Sequence, residues 1–330
     1  MSRIPARWAI AGGAAALALL TLSACTGQPV TATSGGGTAQ AGADTGRTYA
    51  LVVHAVPGDA FWDVVKSGAE AAGALYGSTV TYQGDPDVQK QSQLIETAIA
   101  DNVDGIIVSM ANPDGLSGAL ADAVAADIPI ITINSGAEES AALGAITHVG
   151  QGEYLAGQGA GTKLTEAGAR KVLCVIHEAG NAGLEDRCAG AADTLDGSMT
   201  NLQVDIANLA DAQNTIKSAL LADPTIDGVL TLNSAVGVAA AQAQVEAGSD
   251  AQIGTFDVSA DVTRLIIDGS ILFAVDQQPY LQGYLPVSFL ELFYTNGNVV
   301  GGSQPVYSGP GFVTKENAGQ VATFAELGTR

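Results

Sequence analysis

The stretch "TYALVVHAVPGDAFWDVVKSGAE" (residues 48–70) holds two patterns side by side. "TYALVVH" is a near-continuous apolar and β-branched run, as in a strand buried on both faces. After a Pro-Gly-Asp turn, Phe61, Val64, Val65, Gly68 and Ala72 recur at helical spacing on one face. Strand, turn and helix together make the unit of a parallel sheet, whose strands need a crossover long enough to hold a helix.

The unit repeats along the chain. It recurs as "STVTYQG" with a helix around Leu94, Ile95, Ala98 and Ile99, as "DGIIVSM" with a helix over residues 116–126, and as "IPIITIN". A second series has "KVLCVIH" with a helix from Glu185, "LQVDIANL" with residues 216–221, "DGVLTLN" with residues 236–247, and "AQIGTFD" with residues 262–268. Two successive series predict an α/β chain of two doubly wound parallel-sheet lobes.

Ahead of these series, "MSRIPARWAIAGGAAALALLTLSAC" carries two arginines, an apolar run over residues 9–22, and small residues ending at Cys25. The run is shorter than the roughly 20 residues a spanning helix needs, so residues 1–24 read as a secretory signal. Leu22-Ser23-Ala24-Cys25 resembles the lipobox of bacterial lipoproteins, in which the cysteine becomes the lipidated N-terminus. Residues 25–47 are rich in Gly, Ser, Thr and Ala without apolar periodicity, as in a flexible tether with a reach of roughly 25 Å. These features predict an exported body, anchored by lipid to the outer face of the cell membrane or held in the periplasm.

Removing residues 1–24 takes away Arg3 and Arg7 and no acid, so the formal charge moves from -21 to -23. Such a surface repels nucleic acid and anionic lipid headgroups. Besides Cys25 the chain has Cys174 and Cys188. An exported compartment permits them to pair; two separate buried thiols fit the sequence as well, because bridging depends on Cα distance.

In doubly wound sheets ligands sit beyond the carboxyl ends of the strands. The residues there are His54, Asp59, Phe61 and Trp62 after the first strand, Ser109 and Asn112 after the third, and Asn134 and Ser135 after the fourth. In the second series they are His177, residues 208–213, Asn233 and Asp257, with Gln277 after "ILFAVD". Amides, a few carboxylates and aromatic faces suit a polyhydroxylated ligand, whose hydroxyls both donate and accept and whose C–H faces stack on rings. Phe61 and Trp62 are adjacent in a helix and point about 100° apart, so one is expected on the ligand and the other in the core. Asn233 and Asp257 also suit helix capping, a duty compatible with touching ligand.

Catalytic patterns fail on the same residues. Cys174 and His177 are three apart on a strand and so face opposite ways, which rules out a nucleophile and base pair. "HEAGN" lacks the second histidine of a zincin helix and reads as loop, and Gly161-Thr162-Lys163 does not match a phosphate loop. No EF-hand spacing occurs. Neither an enzyme nor a bound cofactor or metal is expected.

From Thr48 to about Val306 the chain resembles the sugar-binding proteins that feed ABC importers, the ribose-binding-like branch of the type I periplasmic binding proteins. "VVHAVPGDAFWDVVKSGAE", "NVDGIIVSMANPDG" and "AADIPIITINSG" are similar to its first, third and fourth units. "EDRCAG", "TLNSAVGVAAAQA", "IGTFDVSADV" and "FAVDQQPYLQG" are similar to the segments that supply an arginine, an asparagine, an aspartate and a glutamine to the ligand. The resemblance implies ligand contacts from His54, Phe61, Trp62, Asn134, Arg187, Gln213, Asn233, Asp257 and Gln277. It further implies a monomer that passes a sugar or polyol to a permease. A sensory subunit presenting the closed form to a receptor or kinase, or a nucleoside binder, would carry a similar cleft. The chain departs from the ribose-binding pattern in having Asn134-Ser135 for an Asp-Arg pair and Gln213 for an aromatic, which favours a smaller or acyclic ligand such as a pentose or polyol.

The lobes are expected to be joined by three crossovers, near residues 148–151, Gln277 and residues 305–308. The first lobe is then 48–148 with 278–305, and the second 149–277 with 306–330.

Overall fold

The computed structural model describes residues 45–330. The signal and Cys25 therefore lie outside the described residues, as does all of the tether but its last three positions. Those three belong to the body. Thr45 Oγ1 donates to Glu291 at 3.1 Å and Arg47 Nη1 to the other oxygen of the same carboxylate at 2.6 Å, so ordered structure begins before Thr48.

The first lobe opens with β1 (Thr48–Val53), α1 (Ala60–Tyr76), β2 (Thr79–Gly84), α2 (Val88–Ala100), β3 (Gly105–Ser109), α3 (Pro113–Ala125), β4 (Ile130–Ile133) and β5 (Thr147–Gln151). The second runs through α4 (Glu153–Glu166), β6 (Lys171–Ile176), α5 (Ala182–Thr194), β7 (Ser198–Gln203), α6 (Leu209–Ala222), β8 (Gly228–Thr231), α7 (Ser234–Ala247), β9 (Gln252–Phe256), α8 (Ala260–Asp268) and β10 (Phe273–Asp276). The chain then returns to the first lobe through α9 (Pro279–Asn296) and β11 (Val306–Gly309), and to the second through β12 (Gly311–Thr314) and α10 (Ala318–Glu326).

Each lobe is an α/β unit around a six-stranded sheet, ordered β11-β5-β4-β3-β1-β2 in the first and β12-β10-β9-β8-β6-β7 in the second. All pairings are parallel except β10 with β12. Because successive strand residues face opposite ways, β1 feeds two cores: Tyr49, Leu51 and Val53 pack with α1 and α9 on one face, Ala50 and Val52 with α2 and α3 on the other. The same alternation splits β6 between the two faces of the second sheet. α1 and α9 approach so closely that a Cβ on Gly283 would stand 1.8 Å from the Val65 carbonyl oxygen.

The lobe crossovers and one strand differ from expectation. The chain changes lobes after Gln151, Asp276 and Gly309, because β5 runs to Gln151 in the first sheet and β11 pairs with it there through Val306 and Val149. The strand expected at "LQVDIANL" lies earlier, at β7, which pairs only with β6 at the sheet's edge. An edge strand carries polar residues, so the apolar run that drew attention is the loop after it, where Val204 and Ile206 turn inward.

Candidate functional site

The sheets face one another through their carboxyl ends, and the polar residues that follow the strands meet between the lobes. His54, Asp59, Phe61, Trp62, Asn134 and Ser135 form the first-lobe wall of a chamber of about 30 Å³. His177, Glu178, Asn181, Arg187, Asn233 and Asp257 face them, with Gln277 entering from a crossover. Contacts across the cleft are close. The Ala182 N–H donates to the Ala111 carbonyl at 3.1 Å, and a Cβ on Gly183 would lie 2.7 Å from Ser135 Oγ.

Local structure fixes these side chains. Asp59, Asn181 and Asn233 are the N-caps of α1, α5 and α7, accepting from the N–H groups of Phe61, Leu184 and Ala235 at 3.0, 3.3 and 2.8 Å. The cap of α8 is Ser259 rather than Asp257. Asn134 and Asp257, which follow β4 and β9, hold left-handed backbones with φ of 62° and 67°; Asn and Asp tolerate that region better than other side chains.

Phe61 and Trp62 both line the chamber, edge to face with centroids 5.0 Å apart, and Trp62 stands 4.9 Å from the His54 ring. The expected division between a ligand ring and a core ring does not hold, since both rings also belong to the first-lobe core.

Arg187 is the most tightly held member. Its Nε and Nη2 donate to the two Glu153 oxygens at 2.6 and 2.9 Å, its Nη1 donates to the Leu232 carbonyl at 3.2 Å, and its guanidinium lies 4.7 Å over the Phe256 ring. The side chain is 3% exposed and turns to Glu153 of α4, not to the neighbouring Glu185 or Asp186 of its own helix. One residue on, Cys188 is bonded to Cys174 with a Cα separation of 5.9 Å, tying α5 to β6 beside the arginine.

Gln277 bridges the lobes. It donates to Asp257 at 2.6 Å and accepts from Asn134 and Gln282 at 3.0 Å each. Ser308 Oγ donates to the Gln277 carbonyl at 2.7 Å, joining two crossovers.

Burial sets the charge states. It lowers His54 and His177, each to about 3, with Arg187 pushing the same way, so both imidazoles are neutral at pH 7. It raises Asp59 to about 6 against the steadying Phe61 N–H, and Asp257 to about 7 against the pull of Arg187 and Gln277. Ser109 Oγ accepts the His54 backbone N–H at 3.0 Å and sits 2.6 Å from its Nδ1.

Gln213 was expected here and is elsewhere. It lies within α6 and donates to Glu246 of α7 at 2.8 Å on the outer surface; with β7 ending at Gln203, residue 213 falls too far along the helix to reach the cleft. The "HEAGN" segment is loop, as expected, and beside His177, already placed beyond a strand end, its Glu178 and Asn181 also line the chamber. His177 follows β6 as His54 follows β1, and Glu178 and Asn181 come into the chamber with that same loop.

The donor and acceptor set suits hydroxyl groups. Glu153, Glu178 and Asp257 surround the guanidinium of Arg187, which opposes an anionic ligand. Among the described residues no cluster of three or more His, Cys, Asp or Glu could hold a metal ion, and no helix is long and apolar enough to cross a membrane.

The chain is similar to known proteins. A carbohydrate transporter from Acidothermus cellulolyticus 11B, solved in complex with myo-inositol, is 43% identical, with a TM-score of 0.85 over 86% of this chain and 99% of that one. Xylose/arabinose-binding protein XylF of Sulfolobus acidocaldarius is 28% identical over 68% of this chain, a span equal to 60% of that protein's length. The D-apiose import binding protein of Paraburkholderia graminis is 29% identical over 77% of this chain and 83% of that protein. The profile of the periplasmic binding protein domain matches residues 49–292. That match runs from β1 into α9 and takes in both walls of the chamber, and the chain belongs to the periplasmic binding protein family.

Proposed function

We propose that this chain is an extracytoplasmic solute-binding lipoprotein, working as a monomer, which captures an uncharged polyol or sugar between its lobes and delivers it to an ABC import permease. The observation that carries this reading is the chamber itself: neutral imidazoles, amides and raised carboxyls meeting two aromatic rings, in a surround that opposes anions. The myo-inositol complex of the 43% identical relative favours a cyclic polyol. Capture, not turnover, is the role. A chamber of about 30 Å³ is far below the roughly 300–1,000 Å³ of small-molecule sites, so the lobes stand farther apart than here when a ring is held, a movement the three crossovers permit. Delivery follows from the closed surface that ligand stabilises.

A thermal-shift screen of myo-inositol, pentoses, hexoses, acyclic polyols and nucleosides tests the ligand class. A true ligand at about 100 times its Kd adds roughly 2.7 kcal/mol of stability. A shift with nucleosides alone contradicts the reading. For the anchor, Cys25→Ala is expected to release soluble protein or block maturation; a variant that stays on the membrane at unchanged mass contradicts lipidation.

A further inference from the structure

Beyond the inner chamber the cleft widens into a second cavity of about 710 Å³. His54, His177, Glu178 and Asn181 border both spaces and form the threshold between them. Past it the lining changes character. Val56 and Val88 of the first lobe face Val204, Ile206, Ala179 and Ala207 of the second, and Val56 packs against the second-lobe core that holds Val204 and Ile206. An aliphatic wall thus spans the cleft. Among the described residues, the charged ones lining this outer space are Glu178, Asp205 and Asp211, with no lysine or arginine. At the threshold, the buried His177 Nδ1 has no hydrogen-bond partner.

We infer that the outer cavity is a subsite for an uncharged substituent on the captured ring, so that O-glycosides or O-alkyl ethers of the polyol are ligands alongside the free ring. The inference rests on the inner chamber binding a polyol. A free ring held by Arg187 and Asp257 leaves the exposed Ala179 and Ala207 and the half-buried Val56 and Val88 against water, whereas an alkyl group or the C–H face of a second ring covers them. The bridging oxygen of such a ligand can only accept, and it falls at the threshold bordered by His54, His177 and Asn181, whose N–H groups are the donors it needs. Phosphate or carboxylate substituents are opposed by the three acids and find no cation. The volume lies within the range of small-molecule sites, enough for one further sugar ring.

Titration calorimetry tests this with myo-inositol, or whichever free ring the screen returns, and a set of mono-O-methyl and mono-O-galactosyl derivatives substituted at each ring position in turn. The proteins are wild type, Ala207→Trp and Ala179→Trp. Both alanines are exposed loop residues outside the inner chamber, so each tryptophan fills the outer cavity, and two separate variants guard against one that misfolds. At least one substituted ring is expected to bind wild type as tightly as its parent or tighter. Each folded tryptophan variant is expected to lose tenfold or more for that ligand while keeping the free ring within threefold. The subsite is overturned if every derivative binds wild type tenfold or more below the parent, or if the tryptophans weaken both ligands alike. Absence of any ring binding to wild type contradicts the inner-chamber reading first, and the subsite with it.

Discussion

His54 follows β1 and His177 follows β6, and these strands hold the same place in the order of their sheets. Asn134 and Asp257 likewise follow β4 and β9, both with left-handed backbones. Asn112 and Asn233 cap the helices after β3 and β8. The two lobes are therefore equivalent as scaffolds, yet they present different chemistry to the cleft. The first presents Phe61, Trp62, an amide at Asn134 and a single acid, Asp59; the second presents Arg187 braced by Glu153, with Asp257 in the place of Asn134. A shared fold fixes where side chains emerge, and single residues at those points decide that one wall supplies shape and the other charge.

Breaking the charged wall has the largest expected effect. Glu153→Ala leaves the buried Arg187 without its carboxylate, a loss of about 3–5 kcal/mol in folding stability by urea denaturation, accompanied by weaker ligand binding. No comparable ion pair supports the first wall. A loss below about 1 kcal/mol would mean the arginine finds another partner and the walls differ less than proposed.

The disulfide comes next. It closes a separation of 14 residues beside Arg187, and loops of that size are worth about 3 kcal/mol. A Cys174→Ala, Cys188→Ala double variant is expected to lose about that much in denaturant titration and to bind ligand less well through a loosened α5. Unchanged affinity in the folded variant would show that α5 holds Arg187 without the bridge.

Proton linkage separates what the lobes share from what they do not. Asp257 sits at about 7 in the fold against its ordinary 3.8. The folded state holds that proton more tightly between these values, so this group's stabilisation falls as pH climbs from about 4 to 7. His54 and His177 sit at about 3 against 6.5. The folded state binds fewer protons there, and stability falls as pH drops from 6.5 toward 3. His54→Gln and His177→Gln are each expected to reduce acid sensitivity, a change common to both lobes, while Asp257→Asn flattens the decline toward neutral pH. Melting curves across pH 4–8 check all three, and histidine variants of opposite sign would contradict the equivalence.

The smallest effect belongs to Gln213→Ala, whose side chain pairs with Glu246 on the outer surface. Ligand affinity is expected to stay within about 0.5 kcal/mol of wild type; a larger loss by calorimetry would return the residue to the site.

How much of this was legible follows from which interactions are local. The strand and helix series, and the strand-end residues His54, Asn134, Asn233 and Asp257, followed from buried periodicity and the sheet rule alone. β7 escaped because an edge strand buries little and its pattern is polar, and the misplacement carried Gln213 into the site with it. Glu153 was missed because its partner is 34 residues away, a contact only the fold creates. Assigning β5 and β11 to the first sheet required their mutual pairing across more than 150 residues.

Trp62 is the sole tryptophan from Cys25 onward; it is 3% exposed and stands at the chamber against His54. Titrating the chain from Cys25 onward with myo-inositol while following Trp62 emission tests directly whether a polyol is held between the two walls. A saturable change is expected in wild type, with its midpoint moved about 5- to 150-fold higher in Asp257→Asn, the equivalent of roughly 1–3 kcal/mol for a lost buried hydrogen bond. Calorimetric binding with silent Trp62 emission, or a midpoint that Asp257→Asn leaves unmoved, would contradict capture between the aromatic and the charged walls.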